Sequence, residues 1–183
     1  MMYATIVTSD EEIEQIIALS CKNNKTNLSA ETKATQGFIS WQYSYELLQQ
    51  MHALHSNIIV KDGDKLAGYA MVALKEASAF HTDLAEMIYH LEALHYNGKK
   101  LNEYDYYIMG QVCVAENYRG KGVFDMLYQH HKKLFSNSFD FVVTEISAAN
   151  LCSIRAHEKA GFKTIHTYTN EAGEWKVVLW DWK

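Results

Sequence analysis

MGQVCVAENYRGKGVFDML, Met109 to Leu127, is the stretch on which the fold turns. Its first part continues a run of apolar and β-branched residues from Tyr104 to Ala115 and reads as a strand. Two glycines then flank one lysine, an arginine stands just before them, and a helical apolar pattern follows from Val123. A helix N-terminus carries unpaired N–H groups and a partial positive charge. Glycines immediately before it let those N–H groups approach an anion closely. Arg119 and Lys121 add charge, so phosphate, and above all diphosphate, suits this turn. The competing reading is a glycine turn into a surface helix with solvated basic residues. The P-loop pattern GxxxxGK[ST] is absent, and Asp125 stands where a dinucleotide fingerprint needs its third glycine.

Outward from that turn, strands and helices alternate. Ala4 to Thr8 reads as a first strand, with Ser9 capping a helix that carries Ile13, Ile16, Ile17 and Leu19. A polar stretch follows from Lys22, read as a loop or short irregular helix, and then a helix from Tyr43 to His55. Asn57 to Leu74 is a hairpin about Asp62-Gly63. Next comes a helix from His81, with Leu84, Met87, Ile88, Leu91 and Leu94 in phase and Asn97-Gly98 ending it. Beyond the quoted turn, a helix is expected to bury Val123, Met126, Leu127 and Leu134. A strand from Phe139 to Ala148 follows, then a helix capped by Asn150 and closed at Gly161, and a final hairpin around Glu171-Ala172-Gly173 whose last strand could pair across an edge. This is a mixed α/β pattern in one unit over 1–183, with no linker or repeat.

Composition narrows the function classes. Apolar residues make up 48% and charged ones 21%, as in an ordinary globular protein. The net charge of −5 provides no global field for nucleic acid, so an anion site has to be built locally. Three widely spaced cysteines suggest neither a disulfide framework nor a zinc site, and point to a reducing setting, the cytoplasm. The N-terminus has no basic region followed by a long apolar run, and no stretch reaches the length of a membrane span, so neither leader nor membrane partner is expected.

The strand-to-helix turn with Arg119, Gly120, Lys121 and Gly122 resembles the coenzyme A pyrophosphate loop, Gln/Arg-x-x-Gly-x-Gly/Ala, of the GNAT superfamily of N-acetyltransferases. Phe124 stands where that family has Gly or Ala. About 30 residues on, NLCSIRAHEKAGF from Asn150 to Phe162 is similar to the family's N-x-x-A-x-x-x-Y-x-x-x-G-F helix, with Ser153 in place of Ala and His157 in place of Tyr. The resemblance implies a central, mostly antiparallel twisted sheet of six to seven strands flanked by helices, with a V-shaped splay between strands four and five. It implies acetyl-CoA as cosubstrate, held by Val112, Cys113, Val114, Arg119, Gly120, Lys121, Gly122, Val123, Phe124, Asn150 and Ser153. It also implies transfer to a primary amine of a small molecule or peptide. The sequence does not choose between monomer and homodimer, and its cysteine and histidine spacing suggests no metal site. A helical insert at about 76–104, where many relatives have a short connection, either shapes the acceptor pocket or covers a sheet edge.

Direct acetyl transfer needs a group to take the amine's proton, stabilisation of the thioester oxygen, and a proton for the departing thiolate. By its match to the family's tyrosine, His157 is the candidate acid. Glu145, a carboxylate in an otherwise apolar strand, shares a face with Val143 and Ser147 and is a base, a substrate anchor or an exposed edge charge. Asp105, Tyr107 and Gln111 are weaker base candidates. Cys113 is read as packing rather than as an acyl carrier, and the adjacent His130 and His131 point apart on their helix. Two further readings stay open: an acyl-CoA-binding or sensing domain without turnover, and a phosphate-ligand module unrelated to coenzyme A.

Overall fold

The computed structural model describes residues 1–183. In chain order the elements are β1 (Met2–Ile6), α1 (Asp10–Lys22), α2 (Ala30–Gln36), α3 (Tyr45–Leu54), β2 (Ile58–Asp62), β3 (Lys65–Ala73), α4 (Thr82–Ala93), the two-residue strands β4 (His95–Tyr96) and β5 (Lys99–Lys100), β6 (Tyr106–Val114), α5 (Val123–Phe135), β7 (Phe141–Ser147), α6 (Leu151–Ala160), β8 (Lys163–Asn170) and β9 (Gly173–Asp181). Seven strands form one sheet in the order β1-β2-β3-β6-β7-β9-β8. Every neighbouring pair is antiparallel except β6 and β7, which run parallel because α5 carries the chain back between them.

That parallel pair is short. Tyr106–Ile108 pair with Phe141–Val143, and the hydroxyl of Thr144 then donates to the Met109 carbonyl at 2.8 Å. Beyond this point β6 runs on to Val114 and β7 to Ser147 without pairing to each other. The fourth and fifth strands of the sheet are thus splayed, as the resemblance implied. A bulge lies in β6 where they part. Ala70 faces Val112 and Val72 faces Met109, so three steps on β6 match two on β3. One extra residue reverses side-chain parity. Tyr107 and Met109 face one layer of the core, and beyond the bulge Val112 and Val114 face that same layer while Cys113 joins the other.

Helices cover both faces. Ile13 and Ile16 of α1, Leu48 and Met51 of α3, and Leu84, Ile88 and Leu91 of α4 bury one face. Val123, Leu127, Tyr128 and Phe135 of α5, with Ile154 of α6, bury the other. Gly68 permits the close seating of α5: a Cβ there would stand 2.9 Å from the Cys113 carbonyl and 2.9 Å from Val123.

Several expectations shift. Strand one ends at Ile6, with Val7 already buried and donating to the Asn57 carbonyl. The helix expected to reach Asn97-Gly98 stops at Ala93. Both turn residues adopt positive φ, 47° and 82°, which is hairpin geometry, and β4 and β5 pair around them. On α5, Leu134 is exposed, while Tyr128 and His131 are buried in its stead. The strand of VVLWDW is not an edge. It lies between β7 and β8, and β8 is the outer strand. The polar stretch after Lys22 forms a short 3-10 turn and then α2, capped by Ser29.

Candidate active site

Two adjoining clefts meet at the splay. The smaller, of about 350 Å³, runs along the end of β6 and the start of α5. Val112, Cys113, Val114, Arg119, Gly120, Gly122, Val123, Phe124, Asn150 and Ser153 all line it. Lys121 does not; its ammonium lies 5.6 Å from the centre of the Tyr118 ring.

This cleft has a distinctive electrostatic feature. Five of the six α-helices have an N-cap side chain that accepts a backbone N–H: Ser9, Ser29, Ser44, His81 and Asn150. The start of α5 has none. Gly120 and Gly122 are left-handed, at φ 73° and 81°, and the N–H groups of Gly122, Val123, Phe124 and Asp125 find no acceptor in the chain. Backbone donors converging on a glycine turn form an anion cradle. Phe124 leaves those donors open, because its ring packs against Tyr128 and His157 at 4.8 and 5.2 Å between centroids.

Arg119 braces the cleft. Its Nε donates to the Val114 carbonyl at 3.2 Å, one terminal nitrogen reaches Asn23 at 2.6 Å, and the other reaches Gln36. The guanidinium thereby joins the end of β6 to the ends of α1 and α2. Asn150 makes the matching tie, since its amide donates to the Phe38 carbonyl at 2.8 Å while its oxygen caps Ser153. Gly37 makes room for that tie: it sits at φ 77°, and a Cβ would come within 2.9 Å of the Asn150 oxygen.

The larger cleft, of about 810 Å³, opens on the α4 side of the sheet. It shares Phe38, Ile39, Val112, Asn150 and Ser153 with the smaller one. Its wall carries Asp83 and Glu86 of α4, Glu145 of β7 and Glu171, against one lysine, Lys25, and two histidines, His90 and His157. Trp41, Tyr43, Tyr168 and Trp175 supply aromatic faces. Helix α4 of the insert therefore forms one bank of this cleft.

Glu145 is the first residue past the vertex of the splay. Its carboxylate accepts from the Tyr168 hydroxyl at 2.9 Å and lies 3.3 Å from Nδ1 of His90 on α4. Burial pushes its pKa up, and the Tyr168 and His90 contacts oppose that shift. It is no edge charge: the side chain is 10% exposed.

His157 is placed otherwise than a proton donor to the cleft requires. It is buried between α5 and α6, with Nε2 2.7 Å from the Tyr128 hydroxyl and Nδ1 2.8 Å from the Ser153 carbonyl. Burial lowers its pKa to about 4, against the raising effect of the Ser153 carbonyl. The neutral ring donates from Nδ1 to that carbonyl and accepts from Tyr128, so neither nitrogen offers a proton to the cleft.

Of the weaker base candidates, Asp105 and Tyr107 lie away from the clefts, and Gln111 lines the larger one. Asp105 is exposed at the far end of β6, and Tyr107 is fully buried against His131 on the α5 face. Gln111 is a structural hub: its oxygen accepts from Ser20 and Tyr69 at 2.8 and 2.6 Å, and its amide donates to the Trp41 carbonyl at 2.7 Å. Cys113 is buried, and burial pushes its thiol up to about 12, so it supplies no thiolate near neutrality. His131 is fully buried and held neutral, burial lowering its pKa to about 3.

Sequence reasoning missed Asn23, Gln36, Gly37 and Phe38 in the smaller cleft, and His90, Asp83, Glu86 and Tyr168 in the larger. No local pattern marks most of them, because each arrives from an element distant in the chain. The phase of α4 held a signal for three of them: Asp83, Glu86 and His90 lie off the stripe of Leu84, Ile88 and Leu91 that meets the core.

A family model described as the acetyltransferase (GNAT) family matches residues 26–162. No curated protein matches the chain in sequence. Among solved structures, the ribosomal-protein-S18-alanine N-acetyltransferase from Escherichia coli is similar with a TM-score of 0.64 at 12% identity, over 99% of this chain and 94% of that one. A chain of the NatC complex bound to Gag peptide and CoA gives 0.64 at 14% identity, over 100% and 99%. The aminoglycoside acetyltransferase AAC(6')-Ib in complex with coenzyme A gives 0.61 at 16% identity, over 100% and 95%. At such identities the likeness is one of fold.

Proposed function

The chain belongs to the acetyltransferase (GNAT) family, and from that premise we propose that residues 1–183 act as one unit that moves an acetyl group from acetyl-CoA to a primary amine by direct attack. The observation that carries this reading is the uncapped start of α5, whose free N–H groups converge at the end of the splayed strand. The diphosphate of acetyl-CoA sits on the donors of Gly120 and Gly122 to Asp125. Its pantetheine arm pairs with the edge of β6 at Val112–Val114 that β7 leaves open, with Asn150 and Ser153 on the opposite bank. A backbone N–H of that edge faces the thioester oxygen. Arg119 holds the cleft walls together, and Lys121 contributes charge without contact.

The larger cleft takes the acceptor, and the insert at 76–104 forms part of its wall. Four carboxylates, one lysine and several aromatic faces favour a cationic amine, whether small molecule or peptide. Glu145 serves that acceptor. His157 supports Tyr128 and the α5–α6 packing. No helix is long and apolar enough to cross a membrane. The reading carries a reducing, cytoplasmic setting, supported by three unpaired cysteines, and an acceptor other than nucleic acid, supported by the net charge of −5, acted on by a monomer or homodimer.

Isothermal titration with acetyl-CoA, with ATP and NAD as controls, tests the cofactor half. Binding of acetyl-CoA alone is expected; equal binding of the controls, or none of any, overturns the reading. A second reading, cofactor binding without turnover, draws on His157, whose ring nitrogens are both engaged inside the protein. Acetyl-CoA binding with no product from any cationic amine would decide for it.

A further inference from the structure

His90 lies on the insert and belongs to no motif of the chain, yet the fold brings it to the mouth of the splay. Its Nδ1 stands 3.3 Å from the Glu145 carboxylate. Its ring meets Tyr168 edge-on, 4.3 Å between centroids, and lies 5.9 Å from the His166 ring. Tyr168 in turn donates to the second oxygen of Glu145 at 2.9 Å. A carboxylate only accepts, so Nδ1 carries the proton of the neutral ring, and Nε2, which has no partner in the protein, keeps its lone pair free. The side chain is 35% exposed and lines the larger cleft. An imidazole oriented by a buried carboxylate, with its second nitrogen free in an acid-lined cleft, is the arrangement of a general base.

We infer that His90 takes the proton from the acceptor's ammonium group and that Glu145 is the positioning residue that orients it. The inference rests on the acetyl-transfer reading above. One N–H bond of the ammonium breaks and its proton goes to Nε2 of His90. The freed amine forms a C–N bond to the thioester carbon. The C–S bond then breaks, the carbonyl re-forms, and the remaining extra proton on nitrogen passes to the thiolate, giving amide and free thiol. His90 returns its proton to solvent through the open cleft. The charged and titratable groups against His90 are Glu145 from β7 and Tyr168 and His166 from β8, and those that share its cleft are Asp83 and Glu86 from its own helix, Glu171, Lys25 and the buried His157.

The test uses the full chain with acetyl-CoA and three probes: spermidine, paromomycin, and a peptide with a free N-terminus and one lysine. For any amine turned over, kcat and KM are measured from pH 5.5 to 9.5 in the native protein and in His90→Gln, with acetyl-CoA affinity and thermal unfolding as controls. His90→Gln is expected to lower kcat about 100-fold or more, to abolish the acid limb of the profile, and to leave acetyl-CoA affinity unchanged. His90→Gly is expected to regain activity with added imidazole, which a structural role would not permit. A His90→Gln protein with kcat within threefold, with the acid limb intact, or with a raised KM alone overturns the inference while the transfer reading stands. No turnover of any probe by the native protein, with acetyl-CoA bound, overturns the transfer reading and this inference together.

Discussion

The two clefts on either side of the splay are built by different means. The smaller cleft, the proposed cofactor side, is made from backbone: a glycine turn, the first N–H groups of α5 and the open edge of β6, all within 109–125. The larger cleft, the proposed acceptor side, is made from side chains of α4, β7, β8 and the chain before α3, and it has no meaning until those elements pack. A backbone site survives changes of side chain, and so it can be shared by distant relatives. A side-chain site is specific to one chain and changes with each substitution. The histidines divide by burial. His131 and His157 are buried and neutral, although His157 reaches the wall of the larger cleft, whereas His90 is partly open to that cleft.

That last contrast has the largest expected effect. A buried histidine held neutral stabilises the fold fully above the unfolded-state pKa, near 6.5, and the stabilisation is lost as pH falls from there towards the folded value, about 4 for His157 and about 3 for His131. Each is expected to cost on the order of 2 kcal/mol by pH 5. Urea unfolding at pH 7 and pH 5 measures the slope, and His157→Gln should remove about half of it. An unchanged slope would break the division between buried and open histidines.

Gly122→Val places a β-branched residue at φ 81° and displaces the donors of the cradle. Acetyl-CoA affinity is expected to fall about 30-fold by titration calorimetry, on a scale of roughly 1–2 kcal/mol for the strained residue with donor misalignment added. Glu145→Gln acts on the opposite bank. It is expected to lower kcat about tenfold, as the loss of an orienting charge, with acetyl-CoA affinity unchanged; a parallel loss of affinity would mean that the two clefts are one site.

Asp83→Asn with Glu86→Gln should raise KM for a cationic amine about fivefold, and the effect should shrink at high salt because both charges are solvated. The smallest effect is expected of Lys121→Ala, less than about twofold in acetyl-CoA affinity, since an exposed ammonium contributes little. A loss as large as that of Gly122→Val would show that the cofactor side is held by side chains after all.

The sequence by itself determined the elements whose cause is local. Gly120, Lys121 and Gly122 before an apolar helix announce a backbone anion cradle, because positive φ and an uncapped N-terminus are properties of a few adjacent residues. Asn150 and Gly161 bound α6 for the same reason, and Asp62-Gly63 sets its hairpin. The tertiary structure decided whatever depends on elements meeting. The bulge in β6 puts Val112 and Val114, rather than Cys113, on the face of Tyr107 and Met109, and its one local sign is the isolated Gly110, which does not say which way the register shifts. His157 matches a motif position, yet Tyr128, from another helix, and burial between the two give it a supporting place. His90, Glu145 and Tyr168 are separated by 55 and 23 residues, and they become neighbours only because α4 packs over the splay and Tyr168 of the outer strand β8 reaches across β9. Side-chain chemistry at a cleft depends on distance and burial, and both are set by the whole chain.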